Sequence, residues 1–200
     1  MQRNSIQLLI TGGPGSGTTT AGARISKRLG MPQIDSDDYF HKPTDPPFQV
    51  QYSTNERRAL IHKAIASSRS WLLSGSISAW GITDIRFSHA VVLNVGKVVR
   101  LDRLRERESK RFGMRIEADG DMLEEHTSFL EWASHYEDGD LEGRSLPVER
   151  DLITRCCDSH LEICGAISLE VLEEKILNYL NKSNAYQGAA RNGGKPPRES

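Results

Sequence analysis

Thr11-Gly12-Gly13-Pro14-Gly15-Ser16-Gly17-Thr18-Thr19-Thr20 decides how the rest of the chain is read. It follows the apolar run Ile6-Gln7-Leu8-Leu9-Ile10 and precedes Ala21, Ile25 and Leu29, which recur every four residues. A short buried strand, a glycine turn and a helix start form the setting of a phosphate-binding loop. Gly12, four residues, Gly17, Thr18 and Thr19 keep the Walker A spacing, with Thr18 standing where that pattern has lysine. Glycine lets consecutive backbone N–H groups curl around an anion, and the helix N-terminus adds partial positive charge. Glycine or serine fills five of the six positions Gly12–Gly17, more than a plain turn requires. Gly12, Gly13, Pro14, Gly15, Ser16, Gly17, Thr18, Thr19 and Thr20 are therefore assigned to a bound nucleotide, and the Thr19 hydroxyl to Mg²⁺.

Two hundred residues suffice for one domain with a sizeable core. With 37% hydrophobic and 26% charged residues, the chain reads as a soluble globular protein. A net charge of −1 argues against a dedicated nucleic-acid binder, whose footprint is basic. No apolar run approaches the roughly 18 residues of a membrane span. Met1–Ser5 leads straight into a strand instead of a secretory segment, so a cytoplasmic location is expected. Cys156, Cys157 and Cys164 lack metal spacing and read as reduced, ordinary residues; the histidines are equally scattered.

Outward from the loop, the first helix is expected from about Thr18 to Arg28, closed by Gly30 with Pro32 beyond. Pro32-Gln33-Ile34 forms a short second strand delivering Asp35-Ser36-Asp37-Asp38-Tyr39-Phe40, and the proline-rich run His41–Pro47 is a loop. Ser53-Thr54-Asn55-Glu56 is a capping box, ahead of a helix with Leu60, Ile61, Ala64 and Ile65 on one face. Trp71–Ser76 and Ala90–Val95 read as the third and fourth strands, while Trp80–Ser88 between them follows no period. A charged helix runs from about Val98 to Arg111, and a loop to Gly120 ends it. Asp121-Met122-Leu123-Glu124 has the form of a second capping box, opening a helix to about Tyr136. Pro147 opens a short helix to about Cys156, Leu161-Glu162-Ile163 is a fifth strand, and Ser168 caps a last helix carrying Leu172, Ile176 and Leu180. From Ser183 the composition supplies no core, so residues 183–200 are expected to be a disordered tail after one domain of residues 1–182. Strands alternating with helices specify an α/β fold: a parallel sheet covered on both faces, with ligands outside the strands' carboxyl ends.

That edge collects the chemistry. Phosphoryl transfer uses a carboxylate near Mg²⁺ and often another that receives the proton of an attacking hydroxyl. Asp35 and Asp37 are the candidates for both, as metal ligands and as the catalytic carboxylates that orient the acceptor; strand alternation, if extended geometry persists, points Asp38 elsewhere. The third strand ends in Ser74-Gly75-Ser76 and the fourth in Asn94, so neither offers a Walker B carboxylate. At about 100° per residue, Arg100, Arg103, Arg107 and Arg111 fall in one stripe of their helix. Guanidinium forks suit phosphate oxygens. Arg103, Arg107 and Arg111, with Arg115 after them, are the candidates to cover the charge that the absent lysine leaves.

Strand, phosphate loop, acid-bearing second strand and arginine helix together resemble the P-loop small-molecule and nucleoside monophosphate kinases. Gly-Ser-Gly-Thr-Thr-Thr in place of Gly-Lys-Thr is also similar to one branch of cytidylate kinases. Arg103-Leu104-Arg105-Glu106-Arg107 resembles the opening of the adenylate-kinase lid, and the run from Arg111-Phe112-Gly113 to Trp132-Ala133 resembles an adenylate-kinase-like bacterial group. The resemblance implies a P-loop NTPase three-layer α/β/α fold, a five-stranded parallel sheet of order 2-3-1-4-5 and a small helical lid at about residues 100–120. It also implies ATP and Mg²⁺ as cofactors and a monomer or homodimer. Asp35-Ser36-Asp37-Asp38-Tyr39-Phe40 is closer to the Asp-x-Asp of shikimate kinases and the Asp-Asp-Phe-Tyr of uridine-type kinases, whose acceptors are hydroxyl groups. The expected function is transfer of the γ-phosphoryl group of ATP to a small molecule, with a hydroxyl acceptor favoured. The alternatives are a nucleoside monophosphate kinase or a nucleotide-binding protein with little turnover. Neither a membrane nor a nucleic acid is expected as a partner.

Overall fold

The computed structural model describes residues 5–45, 49–139 and 143–191. Its apolar runs become five parallel strands, β1 (Gln7–Gly12), β2 (Gln33–Asp35), β3 (Trp71–Ser74), β4 (His89–Asn94) and β5 (His160–Cys164), in the order β2-β3-β1-β4-β5. The six helices between and after them are α1 (Thr18–Leu29), α2 (Thr54–Ile65), α3 (Lys97–Phe112), α4 (Leu123–Ser134), α5 (Leu146–Cys156) and α6 (Leu169–Arg191). α6 thus continues past Ser183, where the sequence reading began the tail; residues 192–200 lie outside the described residues.

Alternation along the strands divides the core in two. Leu9, Ile34, Leu73 and Val92 point to the face covered by α2 and α5, where Ile61, Leu152 and Ile153 meet them. Leu8, Ile10, Leu72 and Val91 point to the other face, against Ala21 and Ile25 of α1 and Ile176 and Leu180 of α6. Buried on both faces, these strands read as continuous apolar runs, as parallel strands do. The register aligns Asp35 with Ser74 and Ser74 with Ile10, so the carboxyl ends of β2, β3 and β1 lie side by side.

Helix ends follow their local chemistry. Gly30 closes α1 in the left-handed conformation (φ 66°) and donates its N–H to Ser26 O. Ser53 and Glu56 close the expected capping box at α2. The second capping box does not form: Met122 occupies the cap of α4 without a side-chain bond. Asp121 instead accepts from the Arg115 guanidinium, with Nη2–Oδ2 2.8 Å and Nε–Oδ1 2.9 Å, a charge-assisted fork that outcompetes a single backbone N–H. The aperiodic connection Trp80–Ser88 has no helix or strand, yet Trp80, Ile82, Ile85 and Phe87 are buried in the α2/α5 core. Cys157 belongs to that core margin, and burial pushes its thiol up to about 12, the reverse of an activated nucleophile.

Candidate active site

The loop has the geometry of an anion cradle. Gly17 caps α1 at φ 96°, a conformation that side chains rarely adopt, and the Ser16 N–H donates to Gly13 O at 3.0 Å. A Cβ at Gly12 would stand 2.5 Å from Leu93 O, so the loop is pressed against β4 at its start. Above Gly17, apart from its chain neighbours, no atom of the described residues lies within 4 Å of where a Cβ would stand. The Ser16 hydroxyl is buried and has no hydrogen-bond partner among the described residues. Open space over the helix start and an orphaned hydroxyl inside the loop are the fit expected for phosphate oxygens.

Arginines from outside hold the loop by its carbonyls. Arg100 Nη1 donates to Pro14 O at 2.9 Å, Arg144 Nη2 donates to Gly12 O, and Arg103 Nη1 stands 3.5 Å from Ser16 O. Arg100 is 0% exposed and does not share an open stripe with its helical neighbours, as the spacing had it. Its guanidinium also binds Ala133 O and both carboxylate oxygens of Glu137, clamping the end of α4 to the loop. Of the predicted arginines, Arg103 is brought to the loop, beside a shallow cleft with Ser16, Gly165, Ala166 and Ile167. Arg107 is paired with Glu108, and Arg111 lies over the Phe112 ring, about 12 Å beyond Arg103 by helical rise.

Strand alternation puts Gln33 and Asp35 on the α1 face, opposite Ile34. The Gln33 amide donates to Thr19 O at 3.0 Å and to Ser74 Oγ at 2.8 Å, and Ser74 Oγ donates to Asp35 Oδ2 at 3.3 Å. A continuous polar chain therefore links the first turn of α1 to Asp35. Ser74, at the place where a Walker B acid would be sought, is the middle of that chain. Asp35 Oδ1 accepts from the Asp37 N–H at 3.1 Å and caps a 3₁₀ turn over Ser36–Tyr39. That turn ends the extended geometry on which Asp38 was expected to point away. Instead partial desolvation of a side chain that stays largely exposed, with the charges of Asp35 and Asp37 added, raises the Asp38 carboxyl above its ordinary range, and the three acids lie close together at one corner. Thr19, Asp37 and Asp38 are exposed. Among the described residues, no three His, Cys, Asp or Glu side chains converge as a ready metal nest. Mg²⁺ in a phosphotransfer site asks for less, one or two carboxylates with water and substrate phosphates.

The same corner contains a residue the sequence did not single out. Arg57, on the first turn of α2, is 9% exposed; its guanidinium lies 3.8 Å from the Phe40 ring centroid and 5.6 Å from that of Trp80. Nη2 donates to Gln51 Oε1 at 2.8 Å, while the buried Nε has no acceptor and no carboxylate pairs with the side chain among the described residues. Burying an arginine without an anion costs several kcal/mol by order of magnitude, about what a bound anion would return. Helical periodicity could not show this, because the partners are aromatic and lie 17 and 23 positions away.

Sheet order and loop together make the fold P-loop kinase-like. No family model matches the sequence. The chain is 33% identical over 175 residues to the uncharacterized protein YqaC of Bacillus subtilis (strain 168), covering 87% of this chain and 97% of that protein, and it belongs to the YqaC family. Among solved structures, it is similar to shikimate kinase from Acinetobacter baumannii in complex with shikimate (TM-score 0.52, 15% identity, 90% of this chain and 95% of that one). It is similar also to a gluconokinase from Sinorhizobium meliloti 1021 (TM-score 0.50, 16% identity, 94% and 99%). At these identities the likeness is one of fold: it supports the P-loop kinase architecture and stops short of the narrower adenylate-kinase-like group. Among the described residues, no helix is long and apolar enough to cross a membrane.

Proposed function

We propose that this protein transfers the γ-phosphoryl group of ATP to the hydroxyl of a small molecule that itself carries an anionic group. The observation that carries the reading is the polar chain Thr19–Gln33–Ser74–Asp35, which fixes an acid beside the phosphate loop. ATP with Mg²⁺ supplies the transferable phosphoryl group and neutralises part of its charge. The backbone of Gly12–Thr20 holds the phosphates, and the exposed Thr19 hydroxyl reaches the metal. Asp35, held by Ser74 and by the Asp37 N–H, serves the metal through water. Asp37, whose exposed carboxylate has no such ties among the described residues, receives the acceptor's hydroxyl proton. Arg103, with Arg107 and Arg111 further along α3, closes over the transferring group as part of a lid at about residues 100–120. Arg57 binds the acceptor's anion, consistent with its burial without a counter-ion among the described residues.

Titrating Mg²⁺ at saturating ATP separates the roles. Asp37→Asn is expected to keep ATP affinity and lose turnover that extra Mg²⁺ does not restore; Asp35→Asn is expected to raise the Mg²⁺ requirement. Full rescue of both variants by Mg²⁺ would exclude a base and favour a nucleoside monophosphate as acceptor, because its attacking oxygen is already ionised.

A further inference from the structure

A lysine at position 18 would bring a cation over the loop, and Thr18 brings none. Arg100 cannot replace it, since its nitrogens are committed to Glu137, Ala133 O, Val95 O and Pro14 O in a fully buried setting. Arg103 is exposed and reaches the loop only at 3.5 Å, with no ion pair to fix it among the described residues. Arg144 differs from both. Nη2 sits on Gly12 O, the first carbonyl of the loop, and Nε donates to Glu149 Oε1 at 3.2 Å. Glu149 is completely buried, and its second oxygen accepts from the Thr11 hydroxyl at 2.7 Å. Thr11 is the residue before the loop, and its side chain follows Leu9 to the α5 face, so the end of β1 and the first turn of α5 lock the guanidinium between them. The side chain still keeps 17% of its surface open, and Nη1 donates to none of the described residues.

We propose that Arg144 is the cation of this phosphate loop, taking over the place of the Walker A lysine and offering Nη1 to the outer phosphates of a nucleoside triphosphate. The proposal rests on the kinase reading and adds to it the residue that compensates for Thr18. A guanidinium held by a buried carboxylate loses little freedom when a phosphate arrives, so one directed, charge-assisted bond can do what a flexible lysine does elsewhere.

The test measures Mg·ATP and AMP affinity by calorimetry on the full chain, in the wild type and in Arg144→Met/Glu149→Gln. Removing both partners avoids leaving a buried carboxylate unpaired, which would itself be strongly destabilising. ATP affinity is expected to fall about tenfold or more, the scale of one lost charge-assisted bond, with AMP affinity unchanged. Adding Thr18→Lys to the double variant is expected to restore most of the loss. Arg144→Lys, whose single ammonium cannot serve Glu149, Gly12 O and a phosphate at once, is expected to lose ATP affinity by a comparable factor with AMP affinity unchanged, and serves alone if the double variant does not fold; wild-type ATP affinity there counts against the proposal. Wild-type ATP affinity in the double variant, a rise in acceptor KM alone, or no rescue by Thr18→Lys would overturn it. Failure of the wild type to bind ATP would instead defeat the kinase reading itself.

Discussion

Gly17 joins backbone conformation to ligand space at a single residue. Its φ of 96° is costly for any side chain, and the open volume above it is where phosphate oxygens would lie. Gly17→Val is expected to abolish measurable Mg·ATP binding by calorimetry while the protein still melts cooperatively; unchanged affinity would remove the nucleotide from this loop. At the same scale, the loop itself was legible because its chemistry is contiguous in sequence. Arg57 and Arg144 were not, since each acquires meaning from partners distant in the chain: Phe40 and Trp80 for one, Gly12 for the other. Arg100 shows the converse. Its helical spacing grouped it with Arg103 and Arg107, but spacing gives direction and not depth, and Glu137 claims it in the interior.

Among the elements, α1 packs through a glycine. A Cβ at Gly22 would come 2.7 Å from Gln33 Nε2 and 2.8 Å from Ser74 Cβ, so the helix lies directly on the polar chain that ends at Asp35. Gly22→Ala is expected to cost about 1–3 kcal/mol through overpacking, and to lower turnover by shifting Gln33. A chemical denaturation curve and a rate measurement together check this; full stability and full rate would show that the chain Thr19–Gln33–Ser74–Asp35 tolerates displacement. The strands were legible because burial on both faces makes continuous apolar runs, and α2 because both halves of its cap lie within four residues. The start of α4 was not, because Arg115, six positions upstream, outbids the cap for Asp121. Trp80–Ser88 packs as core without a repeating backbone, which no periodicity reports.

At the scale of the whole molecule, the order β2-β3-β1-β4-β5 brings the loop, the acid corner and the arginine helix to one edge. Arg115, in the turn after α3, pairs with Asp45 at 3.5 Å. Architecture alone leaves the acceptor open; the proposal narrows it to an anion through Arg57, which is buried with no carboxylate partner among the described residues. The most direct measurement is ADP formation from ATP by the purified chain with no acceptor, with a panel of small hydroxy acids, with their uncharged amides or alcohols, and with nucleoside monophosphates. Acceptor-dependent ADP formation is expected with a hydroxy acid, absent with its neutral counterpart, and lost in Arg57→Met through a raised acceptor KM. ATP hydrolysis that stays slow and indifferent to every acceptor would contradict a kinase and leave a protein that only binds its nucleotide.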